Sequence, residues 1–399
     1  MRPTKDSNVW WIGNIPTNWN VLKAKYCISV SNGSDPQYEG DIPVFGSGEK
    51  MIKTCGEYKN PPAVLVGRKG TINHPRYVES RYWNVDTAFD VRSLGEICLK
   101  FYFYLATSFD YNYYTSQTTL PSMTQTAYEN MRLPFPNMLE QQRISIFLDR
   151  MCAEVKNLID KTKLSIDEYK VLKQTLIAQA VTKGIRGDRP TKSCGNIWFG
   201  NIPADWMAKK LKYHFHIKKE IAGEEGFTVL SITQKGIMPK DLTKNEGQLA
   251  ADYSNYQLVS VGDFAMNHMD LLTGWVDISK YDGVTSPDYR VFVLNDTENN
   301  DSRYFLYMMQ MCYSNRIFYG LGQGVSGLGR WRLQADKFLN FVIPIPSKEE
   351  QIEIANYLEE KCAEIDNLIA KKEMVLNELE LYNKSMIYEY VTGKKEVTS

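Results

Sequence analysis

The chain has 399 residues, 43% hydrophobic and 24% charged, with 47 basic side chains against 47 acidic ones. That is an ordinary composition for a soluble globular protein with room for two or three domains, and zero net charge neither favours nor opposes a nucleic-acid partner, because local patches decide that. The longest apolar run, residues 97–106, is broken by Lys100 and too short to span a bilayer, and seven cysteines without a Cys-x-x-Cys pair argue against a disulfide framework or a zinc set.

The N-terminus carries no signal-peptide pattern, so a cytoplasmic protein is expected. The lead-in Trp11-Ile-Gly-Asn-Ile-Pro-Thr-Asn-Trp19 returns as Trp198-Phe-Gly-Asn-Ile-Pro-Ala-Asp-Trp206, at an offset of 187 that holds through Lys23/Lys210 and Tyr26/Tyr213. Between this lead-in and residue 132, short β-branched and aromatic runs lie among glycines and prolines. Residues 42–45, 63–66 and 86–91 read as strands, and 100–106 as a short helix or a buried strand.

A longer repeat follows. Leu133 to Gly184 and Ile343 to Lys394 align without a gap at an offset of 210, with seventeen identities in 52 positions, including Pro134/Pro344, Pro136/Pro346, Glu140/Glu350, Gln141/Gln351 and Cys152/Cys362. Each copy opens on Pro-x-Pro, which cannot be helical. A helix-start signal comes next, Asn137 with Glu140 and Ser347 with Glu350, at the spacing of a capping box. A 4-3 apolar rhythm then runs through Ile144, Leu148, Met151, Val155, Leu158, Thr162, Ser165, Tyr169, Leu172 and Leu176, and through the residues 210 further on. Four or more heptads in matched register predict a coiled coil.

Between the two copies, residues 183–194 read as a linker rich in Gly, Lys, Arg and Pro. The second insert, 214–342, predicts strands at 227–232, 257–261 and 289–294 and a helix at 303–313. The layout is therefore lead-in, insert, helix, repeated once: an α+β chain with domains at 1–137 and 185–346 and helical spacers at 138–184 and 347–399. Because a domain's termini lie close together, the two helices must run antiparallel, related by a pseudo-twofold axis. About 37 helical residues at ~1.5 Å each make a rod of roughly 55 Å.

No catalytic constellation survives scrutiny. Asn60-Pro61-Pro62-Ala63 lacks the aromatic of an amino-methyltransferase motif, and Gly322-x-Gly324-x-x-Gly327 follows a helical stretch and precedes no apolar helix, so it is a loop. His214-x-His216 has no ligand companions at metal spacing. No metal site is expected.

The Pro-x-Pro-x-x-x-Glu-Gln entry to each helix together with the Gly-Asn-Ile-Pro-x-x-Trp lead-in resembles the specificity subunit of Type I restriction-modification enzymes, over nearly the whole chain. The resemblance implies a non-catalytic reader of double-stranded DNA with two target-recognition domains. It also implies partners: two methyltransferase subunits that use S-adenosylmethionine to methylate adenine N6, and restriction subunits that use ATP and Mg. The cofactors belong to those partners.

On that reading the inserts meet bases through loop side chains, Arg suiting guanine and Asn or Gln suiting adenine in the major groove. In the first domain the candidates are Ser47, Lys50, Arg68, Lys69, Gln117, Thr118 and Thr119. In the second they are Gln234, Lys235, Asn267, His268, Gln323, Ser326 and Arg330. Thr162 and Lys372, polar breaks at the helix midpoints, are expected to face each other near the axis and fix register. Phe147, Ile159 and Ile166, matched by Tyr357, Ile369 and Leu376, lie off the 4-3 seam and are the expected docking surface for the methyltransferase subunits. A rival reading is a coiled-coil adaptor joining two domains that bind other ligands.

Overall fold

The computed structural model describes residues 2–115, 120–241, 252–324 and 331–397. The chain divides into two units, Met1–Leu164 with Lys372–Ser399, and Ser165–Lys371. Two long helices, Met138–Lys183 and Lys348–Val391, contribute to both. Each starts where the capping signal placed it: Asn137 Oδ1 accepts the Glu140 amide at 2.9 Å, and Ser347 Oγ the Glu350 amide at 3.4 Å.

The capping glutamates do not close the box back onto their caps. In the first unit Glu140 accepts from the Trp19 indole at 2.9 Å and from the Arg2 guanidinium at 2.5 Å, and Arg2 lies over the Trp19 ring. In the second, Glu350 accepts from the Trp206 indole at 2.9 Å and pairs with Arg189, which lies over Trp206. This interlock ties the two repeats to each other: the tryptophan of each lead-in and the glutamate of each helix start are two halves of one contact, partly exposed in the first unit and buried in the second. The neighbouring glutamines serve the same junction. Gln141 accepts the Cys98 amide at 2.8 Å and Gln351 the Asp301 amide at 2.8 Å, while their amide groups donate to the carbonyls of Pro136 and Pro346.

The inserts, dissimilar in sequence, share the topology of their main sheet. The first carries an antiparallel four-stranded sheet in the order Ile28–Asn32, Ala88–Ser93, Ala63–Gly67, Arg76–Val78. The second repeats it with Phe215–Lys218, Arg290–Leu294, Phe264–Met266 and Val276–Ile278. A hairpin stands beside each sheet, Ile42–Phe45 with Met51–Cys55 and Leu230–Thr233 with Gly236–Pro239. The ambiguous run near 100–106 is a helix, Leu99–Thr107, burying Phe101, Tyr102 and Leu105; its counterpart is Ser302–Ser314, burying Tyr304, Phe305 and Met308. Equivalent salt bridges tie these helices down, Lys100 to Asp149 at 3.3 Å and Arg303 to Glu359 at 2.9 Å. Each core also takes apolar groups from both long helices. Ile144, Leu148, Met386, Ile387 and Val391 join the first, and Ala180, Val181, Ile354 and Leu358 the second. Full burial of a side chain such as Phe101 or Leu358 contributes roughly 1.5–3 kcal/mol.

Within each unit the helical segments run antiparallel. Phe147 meets the Tyr390 ring at 4.5 Å in the first, and in the second Lys173 bonds Asp366 at 2.7 Å while Arg186 bonds Glu353 at 2.8 Å. The buried positions correct the predicted seam. One column, Leu148, Val155, Thr162 and Tyr169, faces inward as expected. The second column starts as expected, with Ile144 and Ile354 buried, but further along it moves to the residue after the predicted one: Ile166 is 6% exposed, whereas Leu158 is 50% exposed. The same shift holds 210 residues on, where Cys362 is buried and Leu368 and Val375 are exposed.

Two further expectations change with it. Ile166 is buried, Ile159, Ile369 and Leu376 are half-buried on the inward column, Phe147 packs on Tyr390, and Tyr357 packs on the second core. These six are structural contacts, and the free apolar face is Leu158, Leu164, Val171 and Leu172 with their equivalents Leu368, Met374, Leu381 and Tyr382. Thr162 and Lys372 are not opposite each other. Fifteen residues on from Phe147 and fifteen back from Tyr390 set Thr162 against Val375, so Lys372 lies about one turn, ~4.5 Å, further along. The Thr162 hydroxyl instead donates to the Leu158 carbonyl of its own helix at 2.8 Å.

The segment 183–194 is more than a linker, because Arg186 and Arg189 anchor it to Glu353 and Glu350. Of the histidine pair, His214 is buried against Phe305 and His216 contacts Asn295 at 2.6 Å.

Candidate nucleic-acid interface

Most of the described candidates fall on loops at one end of each sheet, and the same hydrogen bond organises both ends. The strand Ala63–Gly67 runs out into Arg68, whose carbonyl accepts the Met123 amide at 2.9 Å. Its counterpart Phe264–Met266 runs out into Asn267 and His268, whose carbonyl accepts the Leu333 amide at 3.0 Å. In each domain this joins the loop after the third strand of the sheet to the segment entering the last short helix.

In the first domain Ser47 lies beside Gly70, its Oγ 3.7 Å from where a Cβ on Gly70 would stand. The loop carrying Ser47 and Lys50 is held by Arg76, which lies over Phe45 at 4.3 Å and donates to the Gly48 and Glu49 carbonyls. Arg68 is half-buried: its amide donates to the Thr87 carbonyl at 2.8 Å and its guanidinium to the Asp86 carbonyl at 3.3 Å. Lys50 and Lys69 are exposed. Ser47, Arg68 and Lys69 are thus brought together around the turn at residues 85–88. Gln117, Thr118 and Thr119 lie outside the described residues.

In the second domain Gln234 donates to the Thr273 carbonyl at 3.4 Å and Lys235 is exposed on the hairpin turn. Two cavities share Ser286 and Tyr289. One, of about 900 Å³, is lined by Gln234, Lys235 and Lys240, and the other, of about 520 Å³, by Asn267, Thr273, Asp288 and Trp331.

Asn267 and His268 hold the loop. The Asn267 Oδ1 accepts the amides of Met269 and Asp270, both at 3.2 Å. Burial, then the neighbouring Arg290 and Arg332, push the His268 imidazole down to about 3. It is neutral at pH 7 and brings no positive charge to DNA. Arg290, itself buried, donates to the Leu333 carbonyl at 2.9 Å, and burial lowers it to about 10. Gln323 is exposed and pairs with Arg332 in a two-residue bridge. Ser326 and Arg330 lie outside the described residues. Lys218, on the first strand of the second sheet, is engaged by Asp263 at 2.8 Å.

Sequence reasoning missed the turn that these loops surround, at Val85 to Ala88 and Ser286 to Tyr289. The signal was present in Ser286-Pro287-Asp288-Tyr289, a turn sequence ahead of a strand.

The family described as Type I restriction modification DNA specificity domain matches this chain twice, over residues 21–166 and 205–380. The chain belongs to this family. It is a specificity subunit with two target-recognition domains, each match covering one insert and part of a long helix. Among curated relatives, the specificity subunit of the Type I restriction enzyme MjaVIII from Methanocaldococcus jannaschii is 23% identical over 428 residues, covering 96% of this chain and 94% of that protein. Two solved structures share the fold at 14% identity. One, from work on complex assembly and conformational transition of the type I R-M system, has a TM-score of 0.69 and covers 96% of this chain and 99% of its own. The other, the HsdS subunit from Thermoanaerobacter tengcongensis, has a TM-score of 0.51 and covers 96% and 98%. Both target-recognition domains of the specificity subunit therefore present equivalent loops filled by different residues. No helix among the described residues is long and apolar enough to cross a membrane.

Proposed function

We propose that each target-recognition domain reads one half of an asymmetric, bipartite site on double-stranded DNA, and that the paired helices set the distance between the halves. The observation that carries this is the pair of identical sheet topologies whose loop ends bear different side chains, Ser47, Lys50, Arg68 and Lys69 in one and Gln234, Lys235 and Gln323 in the other. A duplicated frame with different reading residues addresses two different sequences. Gln117, Thr118, Thr119, Ser326 and Arg330 belong to the same reading segments by sequence position.

The chain itself acts without catalysis. Two methyltransferase subunits supply adenine-N6 methylation with S-adenosylmethionine, and restriction subunits supply ATP- and Mg-dependent cleavage. Their docking surface on the helices is the exposed apolar face rather than the inward residues: Leu158/Leu368, Leu164/Met374, Val171/Leu381 and Leu172/Tyr382 are equivalent pairs, suited to two copies of one partner.

Exchanging residues 27–132 for the insert of a related protein, followed by sequencing of methylated adenine in a host expressing both subunits, tests the reading. One half of the methylated motif is expected to change while the other stays, and a change in both halves counts against modular reading. A gel shift on duplex DNA with and without the methyltransferase subunit separates this reader from an adaptor, which retards DNA in neither case.

A further inference from the structure

The turn that both sets of reading loops surround carries an aspartate in each domain. Residues 85–88 close with the Ala88 amide donating to the Val85 carbonyl at 3.1 Å, and residues 286–289 with the Tyr289 amide donating to the Ser286 carbonyl at 2.9 Å. Each turn feeds the equivalent central strand, Ala88–Ser93 or Arg290–Leu294. Both turns are braced from below. Arg68 donates to the carbonyls of Asp86 and Thr87, and the buried Gln257 donates to those of Ser286 and Tyr289 at 3.0 and 2.9 Å.

Asp86 and Asp288 are exposed, and among the described residues neither carboxylate accepts a hydrogen bond or meets a cation. The contrast with the adjacent Asp270 is direct, since its carboxylate caps the Leu272 and Thr273 amides at 3.0 and 2.9 Å. A duplex carries one negative charge per ~1.7 Å of its axis, so a carboxylate held rigidly at a DNA-facing surface is repelled unless it accepts a hydrogen bond there. The major-groove donors are the exocyclic amino groups, cytosine N4 and adenine N6.

Resting on the two-half-site reading proposed above, we infer that Asp86 and Asp288 are specificity-determining residues, each accepting a hydrogen bond from the amino group of a cytosine or adenine in its half-site and rejecting bases that offer only acceptors there. The carboxylate works by exclusion as well as attraction. A guanine or thymine at that position faces it with oxygen lone pairs.

The test is expression of full-length wild type, D86A and D288A with the methyltransferase subunit in a methylation-free host, read by sequencing methylated adenine. D288A is expected to lose roughly tenfold in preference at one cytosine or adenine position, a loss of the size one base contact provides. The change falls in the half-site that an exchange of residues 214–342 identifies as belonging to the second domain. D86A does the same in the other half only. Both variants methylating the wild-type motif without relaxation overturns the inference. If a variant methylates nothing, gel shifts of the complex on the cognate duplex and its single-base substitutions decide. Equal weakening on every duplex, cognate and substituted, overturns the inference, and weakening confined to duplexes with the contacted base supports it. If wild type yields no bipartite motif, the two-half-site reading fails, and the inference with it.

Discussion

Replacing Glu350 by alanine removes the acceptor at the centre of the second interlock. Its side chain is 2% exposed, takes the Trp206 indole hydrogen at 2.9 Å, and pairs with Arg189, which is 16% exposed. A hydrogen bond to a buried charged acceptor contributes about 1.5–3 kcal/mol, and removing one member of a buried ion pair costs ~3–5 kcal/mol. Arg189 keeps Asp205 at 3.2 Å and some water, which places the E350A loss near the lower bound, ~3 kcal/mol, or over a hundredfold in the unfolding equilibrium. Glu140 does the same work in a wetter setting, with its side chain 20% and that of Arg2 18% exposed, so E140A is expected to cost about half as much. Urea unfolding followed by tryptophan fluorescence and by circular dichroism measures both, and each variant should shift the transition of its own unit. A double-mutant cycle of E350A with W206F, which deletes only the indole donor, should return about 1–2 kcal/mol of coupling. An E350A loss below 1 kcal/mol, or an E140A loss as large as that of E350A, refutes the claim that this junction holds the repeats together.

His268 sits well below its ordinary 6.5, at about 3, so between those values the unfolded chain binds the extra proton. Stability from this residue is complete above pH 6.5 and lost as pH falls toward 3; urea titrations at pH 7 and pH 5 should differ by ~2 kcal/mol more in wild type than in H268Q, and equal differences reject the buried neutral imidazole. Aspartates at Leu158 and Leu368 together should release the methyltransferase subunits in gel filtration without changing the melting temperature, whereas I166D, at a position 6% exposed, should destabilise the isolated chain by at least ~2 kcal/mol. Partner retention by the first variant, or no loss of stability in the second, reverses the assignment of the two faces. Inserting one heptad beside Thr162 and another beside Lys372 should lengthen the helical pair by ~10 Å and part the half-sites by about three base pairs at ~3.4 Å each; an active variant that still methylates at the original spacing shows that the helices do not set the distance.

The sequence by itself determined the duplication, the position of both long helices and their caps, and the family, because gapless repeats and proline, asparagine and serine at helix starts act locally. It also placed strands at residues 42–45 and 63–66, where β-branched runs stand between turn residues, and the structure has them at Ile42–Phe45 and Ala63–Gly67. What it could not supply was the use of those repeats. Trp19 and Glu140 are 121 positions apart, Trp206 and Glu350 144, and only the fold makes each pair one contact. The kinship of the two inserts was hidden for the same reason. Their equivalent salt bridges join Lys100 to Asp149 and Arg303 to Glu359; the carboxylates keep the helix offset of 210, but the cations lie 203 apart, an offset unlike either repeat. The seam was misjudged by one residue because a 4-3 rhythm with Leu158 beside Ile159 and Ser165 beside Ile166 fits either column. Which column turns inward depends on the antiparallel helix and the domain packed beneath it. The neutral state of His268 likewise follows first from its burial and then from two arginines brought to it by the chain's return, since burial and the field of distant residues are properties of the tertiary structure alone.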